Sequence, residues 1–494
     1  MTSFAAALFR FAIKVTKCCA IFKMEMLMNR KIKITVDGKE IFADEGTLLS
    51  DIITVDKPCG GNGKCGKCKV KVNGKDELAC KYRVAADILV ETFSSGEIVS
   101  EIGVRASEDV ITDNVCLALD IGTTTLALAL VSLDDKRIVK ATVATNPERV
   151  FGHDIMTRID YCSKNSVREL NGVLVREINR MIGEICEREV DKMFVAGNLT
   201  MLHIFFGIDC SSLGVAPYTP VFKEGKRELA ADLGIMGVRN VVSLPSVSAF
   251  VGADIVAGLN YVDAPGEDKF NLLIDLGTNA EVVLYSDKYG VATAAAAGPC
   301  FEGANISSGM SATDGAIYFF EINDGEPYFR TVGNKKAKGI CGTGLIDIVA
   351  ELLREGIIDG TGYMEKDYRI SDSVTVTAGD IRQYQLAKSA IYSAVTTLMK
   401  QSGVGFSDIA KMYISGGFSA KININNAVFT GLLPRELVER AVAINNSSLL
   451  GTVKYATDGG NATGFCESIR YVDLSNDPYF AEVFIANMMF FDAD

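Results

Sequence analysis

The stretch LALDIGTTTLALALV, residues 117–131, decides the fold. An apolar run enters a turn made of Asp120, Gly122, Thr123, Thr124 and Thr125, and a second apolar run leaves it. Two strands joined by a tight turn are predicted. Gly122 lets backbone N–H groups approach a phosphate, and the threonine hydroxyls can donate to its oxygens. Asp120 would repel a bare phosphate, so its expected task is to hold the hydration shell of a Mg²⁺ ion. The pattern returns at NLLIDLGTNAEVVLY, residues 271–285, with Asp275, Gly277, Thr278 and Asn279. Two copies between apolar strands point to two lobes that face one nucleotide from opposite sides. Two ordinary hairpins with polar turns are the plain alternative.

The bulk numbers agree with a large cytosolic protein. The chain has 494 residues, enough for about two to four domains. A net charge of −12 argues against a basic nucleic-acid surface. Thirteen cysteines, most of them scattered singly, suit a reducing compartment better than a disulfide framework, so a cytoplasmic location is expected. Only His153 and His203 are available, and each reads as a packed or hydrogen-bonding residue rather than a ligand.

Working outward toward the N-terminus, residues 1–29 read as an extension. They form either a basic amphipathic targeting segment or upstream sequence read through a mis-called start, and Met28 favours the second. The extension is too broken by charge to span a membrane. Residues 30–93 form a separate small domain. Its hairpin around Asp37-Gly38 precedes a short helix near Leu48–Ile53, then PCGGNGKCGKCKVKVNGKDELAC. Cys59, Cys65, Cys68 and Cys80 follow C-x5-C-x2-C-x11-C spacing in a glycine-rich loop. Four thiolates in that setting fit a [2Fe–2S] cluster; a Cys₄ zinc site is the alternative, although only one C-x2-C knuckle is present. The order of elements resembles the β-grasp ferredoxins. Residues 94–114 read as a linker or a single crossing strand.

Residues 115–268 then form the first lobe and residues 269–494 the second lobe with the C-terminal segment. In the first, VRELNGVLVREINRMIGEICEREV has helical spacing, and LPSVSAFVGADIVAGL turns into a buried small-residue helix suited to close packing between lobes. In the second, AAAAGPCFEGANISSGM makes a polar loop beside the expected site, carrying Glu302 and Asn305. A long amphipathic helix is predicted over DIRQYQLAKSAIYSAVTTLMKQSG. KMYISGGF then ends a strand in Gly416, Gly417 and Phe418, where an adenine ring could lie on the backbone.

DIGTTT, DLGTN and ISGGF resemble the phosphate-1, phosphate-2 and adenosine motifs of the actin, sugar-kinase and heat-shock-chaperone ATPases. With the [2Fe–2S] module ahead of them, they resemble one family closely, the reductive activators of corrinoid-dependent methyltransferases. The likeness covers about residues 30–494 and includes CGGNGKCGKC, LPSVSAFVGADIVAG, AAGPCFEGANISSGM, GICGTGLIDIVAELL and QLAKSAIYSAV. It implies a β-grasp [2Fe–2S] domain followed by a two-lobed actin-like, ribonuclease H-like ATPase. The implied activity is ATP-dependent return of one electron to Co(II), giving Co(I) in a corrinoid protein of a methyltransferase system. Cys59, Cys65, Cys68 and Cys80 would hold the cluster. Asp120 and Asp275 would organise Mg²⁺. Gly122, Thr123, Thr124, Gly277, Thr278 and Asn279 would meet the phosphates, and Gly416, Gly417 and Phe418 the adenosine.

An electron donor, a reductase or a ferredoxin, is implied as a second partner, and a homodimer is left open. Activators of 2-hydroxyacyl-CoA dehydratases or benzoyl-CoA reductases are the redox alternative, and a non-redox ATP-binding module is the third. Longer family members carry an extra domain between the ferredoxin and the ATPase, for which residues 94–114 leave no room. Related ATPases place Glu or Gln before phosphate-2 to orient water. Ser248 and Ala249 offer neither, and Asp254 is the nearest carboxylate, which implies slow hydrolysis.

Overall fold

The computed structural model describes residues 31–36, 39–53, 55, 68–92, 113–417, 419–459 and 468–490. The extension, Cys59, Cys65, most of the 94–114 stretch and Phe418 lie outside the described residues. Two units divide the chain, Met1–Ser94 and Ser95–Asp494.

The first unit holds β1 (Lys31–Val36), β2 (Lys39–Asp44), β3 (Lys69–Val72), β4 (Lys75–Leu78) and β5 (Ile88–Thr92) in one sheet, ordered β2-β1-β5-β3-β4. β1 and β2 run antiparallel with Ile34 opposite Ile41, while β1 and β5 run parallel. Alternation along β1 buries Ile32 and Ile34 completely, as a one-sided sheet requires. The expected short helix is a single 3₁₀ turn, Leu49–Asp51, whose Leu49 packs with Val70, Val84 and Val90. Cys68 and Cys80 lie in that core.

The second unit is built on two six-stranded sheets that repeat one plan. The first contains β6 (Val115–Ile121), β7 (Thr125–Ser132), β8 (Arg137–Thr145), β9 (Val190–Gly197), β10 (Arg227–Leu229) and β11 (Val238–Ser243), ordered β10-β11-β9-β6-β7-β8. The second sheet begins with β12 (Phe270–Leu276), β13 (Ala280–Tyr285) and β14 (Gly290–Ala295). A three-stranded sheet follows, β15 (Ala316–Asn323), β16 (Glu326–Thr331) and β17 (Gly339–Ile340), with the small pair β18 (Tyr368–Arg369) and β19 (Thr375–Val376). The chain then returns through β20 (Ile409–Ser415), β21 (Ala441–Ala443) and β22 (Ile469–Tyr471), giving the order β21-β20-β12-β13-β14-β22. In both sheets an antiparallel hairpin, β6–β7 or β12–β13, sits centrally. A third antiparallel strand flanks one side and a parallel strand, β9 or β20, the other. The hairpins predicted from the two quoted stretches are therefore the equivalent centres of two equivalent sheets. Their strands are apolar on both faces because helices cover both faces.

Two helices join the halves. Helix Ala253–Tyr261 follows the first sheet, as the small-residue stretch predicts, and packs on helix Ser447–Thr457. The later helix belongs to the first sheet's core, where Leu449, Val453, Tyr455 and Ala456 pack. The long helix Ala378–Gln401 differs from the amphipathic expectation. It buries Ile381, Tyr384, Ile391 and Val395, and on other sides Lys388, Ser389, Ser393 and Thr397. It is covered on most sides because β13 and β14 and the C-terminal helix Pro478–Ala486 pack around it.

Candidate functional site

Asp120 and Asp275 each stand one residue before the end of their strand, at matching places in β6 and β12. Each turn that follows is closed by one backbone bond, Gly122 N to Thr125 O at 3.0 Å and Gly277 N to Asn279 O at 3.1 Å. Beside each hairpin, a parallel strand runs into a glycine, Gly197 as the last residue of β9 and Gly416 directly after β20. A Cβ on Gly416, held at φ +117°, would lie 2.2 Å from the Leu276 carbonyl oxygen, so only glycine fits there. Gly417 faces open space.

Serine side chains join the two aspartates. Ser448 Oγ donates to Asp120 Oδ1 at 2.7 Å. Ser415, paired with Asp275 in register, hydrogen-bonds the Asp275 carboxylate. The hydroxyls of Ser415 and Ser447 are 2.6 Å apart. Ser447 and Ser448 open the helix capped by Asn446, whose side chain also reaches Asp120. The N-terminal end of that helix thus favours negative charge at Asp120.

Two further carboxylates face the pair. Asp254, in the first turn of helix Ala253–Tyr261, interacts with both Asp120 and Asp275. Glu281 lies opposite Asp275 across the hairpin. Burial, opposed by the Ser448 and Asn446 hydrogen bonds, pushes Asp120 up to about 6. Burial raises Asp275 to about 6, and repulsion from Glu302 adds to it. Burial, with repulsion from Asp275 and Asp120, raises Asp254 to about 7. Burial holds Glu281 well above the usual carboxylate range. Four crowded acids disfavour their charged forms together, and a divalent cation removes that penalty. Among the described residues, no three Asp, Glu, His or Cys side chains converge closely enough to hold an ion alone.

Glu302 spans the two turns. Its Oε1 accepts from Thr278 N at 3.1 Å, and its Oε2 from Thr278 Oγ1 at 2.9 Å and Thr124 Oγ1 at 3.3 Å. Behind the first turn, Arg158 donates to the Thr123 carbonyl at 2.5 Å and to Glu148 Oε2 at 2.9 Å, both side chains fully buried. Asn146 Nδ2 donates to the Gly122 carbonyl at 2.8 Å, and Asn198 Nδ2 to Thr123 Oγ1 at 3.1 Å. The glutamates at 148 and 281 and Arg158 escape sequence reading. The signals were an acid inside the apolar run AEVVLY and an acid–arginine pair ten residues apart, and neither is specific. Ser248 and Ala249 line a separate cavity of about 440 Å³ with residues 219–224 and supply no base. His203 is packed and hydrogen-bonded as expected, with Nδ1 2.8 Å from Leu199 O and its ring stacked on Phe222.

In the N-terminal unit, Cys68 and Cys80 Sγ are 3.1 Å apart and buried. Both thiols belong to the apolar core of that unit.

The fold and this site define a two-lobed ATPase of the actin and kinase superfamily. Family models for the RACo middle region and for the C-terminal domain of RACo, the ASKHA domain, match residues 115–264 and 269–494. The chain belongs to this RACo family of reductive activators. It is similar to the corrinoid activation enzyme RamQ of Eubacterium limosum, 27% identical over 584 aligned residues, covering 92% of this chain and 98% of that protein. A [Co(II) methylated amine-specific corrinoid protein] reductase of Methanosarcina barkeri is also 27% identical, covering 67% of this chain and 68% of its own length. The solved reductive activator for corrinoid, iron–sulfur protein superposes with a TM-score of 0.69 at 25% identity, covering 93% of this chain and 98% of that one. The aligned length with RamQ exceeds the 494 residues of this chain, so RamQ carries insertions that this chain lacks.

Proposed function

We propose that this protein uses ATP to drive reductive activation of a corrinoid protein, returning Co(II) to Co(I) in a methyltransferase system. The observation that carries it is the serine-joined pair Asp120 and Asp275, set at equivalent strand ends of a chain in the activator family. Asp120 and Asp275 organise Mg²⁺ through water. Thr123, Thr124, Thr278 and Asn279 meet phosphate oxygens, with Gly122 and Gly277 giving the backbone close approach. Gly416, Gly417 and Phe418 border the adenosine.

The N-terminal unit is read as a β-grasp [2Fe–2S] domain with Cys59, Cys65, Cys68 and Cys80 as ligands, which supplies one-electron transfer at low potential. The neighbouring thiols of Cys68 and Cys80 support this. A reductase or ferredoxin gives the electron, the chain holds it, and the partner's cobalt receives it. For one electron, about 1–3 kcal/mol of coupling between nucleotide and partner shifts the balance by roughly 40–130 mV. A cytoplasmic setting fits the cysteines among the described residues, none of which is in a disulfide. No helix of the described residues is long and apolar enough to cross a membrane.

The test is anaerobic: visible spectra of a Co(II) corrinoid protein mixed with the reduced activator, with and without Mg-ATP. A Co(I) band that grows faster or further with Mg-ATP supports the proposal. Equal spectra overturn it.

A further inference from the structure

Glu302 makes three side-chain contacts that reach beyond its own loop. It accepts the Thr278 N–H, the Thr278 hydroxyl and the Thr124 hydroxyl, donors from the turns of both sheets. These are the donor types that a phosphate between the turns would take. A carboxylate and a phosphate are both anionic, multi-oxygen acceptors, so one excludes the other from the same donors. The negative charge of Glu302 also adds to the repulsion at Asp275 and Glu281.

We propose that Glu302 is an internal stand-in for a nucleotide phosphate, tying the two phosphate turns together until Mg-nucleotide displaces it. This rests on the nucleotide reading of the site and goes beyond it by assigning Glu302 a role against binding. The loop that carries Glu302 is anchored further on. Ser307 N donates to Asp380 Oδ1 at 2.7 Å, and Ser308 Oγ donates to the Thr375 carbonyl at 2.9 Å. Displacement of Glu302 therefore pulls on a loop fixed at the start of the long helix Ala378–Gln401. A nucleotide phosphate is in this way felt away from the cleft.

A competitor inside the chain lowers apparent affinity by the fraction of molecules it leaves free to bind. Glu302→Ala removes all three acceptor contacts. Its affinity for Mg²⁺ with a non-hydrolysable ATP analogue, measured by calorimetry on the full chain, should rise about tenfold. Glu302→Gln keeps the shape and one good acceptor and should show a smaller rise. Adenosine, which has no phosphate, should bind all three proteins equally, a readout that general loosening of the fold would shift. Weaker or unchanged analogue binding by Glu302→Ala overturns the inference, as does an equal change for adenosine. If the wild-type chain binds no analogue at all, the nucleotide reading itself falls.

Discussion

Ser448 reaches across 328 residues of sequence to donate a hydrogen bond to Asp120 at 2.7 Å. The helix that starts there closes the first sheet's core and carries the serine that meets Ser415, the partner of Asp275. One helix N-terminus thus touches both catalytic-site aspartates proposed here, one directly and one through a hydroxyl pair. Ser448→Ala should lower Mg-nucleotide affinity by about tenfold or more, since a hydrogen bond to a charged group contributes about 1.5 kcal/mol or more. Calorimetric titration checks this, and unchanged affinity would place Ser448 outside the mechanism.

The same helix approaches its neighbour backbone to backbone. A Cβ on Gly451 would lie 1.7 Å from the Ala257 carbonyl oxygen, closer than any real contact. Gly451→Ala must push the two helices apart, at a cost of about 1–3 kcal/mol. Thermal melting should fall by several degrees, and nucleotide affinity should fall with it. An unshifted melting curve would show that the two helices do not pack this closely.

The acid cluster fixes the sign of a pH effect. Asp120 and Asp275 sit near about 6 and Asp254 near about 7, all raised chiefly by burial. A carboxylate raised on folding stabilises the protein fully below its unfolded value, near 4, and that stability is lost as pH rises through 6 and 7. Without Mg²⁺, this cluster should lower the melting temperature between about pH 5 and pH 8. With Mg-nucleotide the deficit should be repaired, so the ligand-induced rise in melting temperature grows with pH. A ligand-induced rise that is equal at pH 5.5 and pH 8 would contradict this.

Asp275→Asn separates binding from stability. It removes one charge from the cluster, so the metal-free protein should melt at the same or a higher temperature. On the proposed reading it also removes an oxygen that organises Mg²⁺, and nucleotide-dependent activity should fall by about 10²–10³. Paired melting and cobalt-reduction assays read both effects.

The buried pair Glu148 and Arg158 should behave oppositely. Burial raises Glu148 to about 7, with Arg158 working against that rise. Arg158→Met leaves Glu148 without its partner and frees the Thr123 carbonyl, costing about 3–5 kcal/mol. Arg158→Lys should rescue little, because one ammonium cannot reach the Gly152 carbonyl, Glu148 and the Thr123 carbonyl together. Denaturant unfolding measures both variants.

Much of this was legible in the sequence because the two turns repeat. DIGTTT and DLGTN each lie between apolar runs, and strand–turn–strand patterns are local. Asp254 was visible as a carboxylate near the expected site, and Glu302 as part of a polar loop beside it. What Glu302 touches was not visible, since Thr124 and Thr278 come from different sheets and only tertiary folding brings them to one oxygen. Glu281 hid in an apolar strand whose alternation gives no sign that one face meets a charged cleft. The return of helix Ser447–Thr457 to the first core was hidden for the same reason. Its small residues fit any close packing, and the partner, helix Ala253–Tyr261, lies far away in sequence.

The central claim is that the nucleotide site and the corrinoid partner are energetically coupled, and coupling of binding is reciprocal. The direct measurement is the affinity of the reduced activator for a non-hydrolysable Mg-ATP analogue, with and without a saturating Co(II) corrinoid protein. A shift of about fivefold or more, matched by an equal shift in partner affinity, is the predicted result. The same nucleotide affinity in both titrations would contradict it.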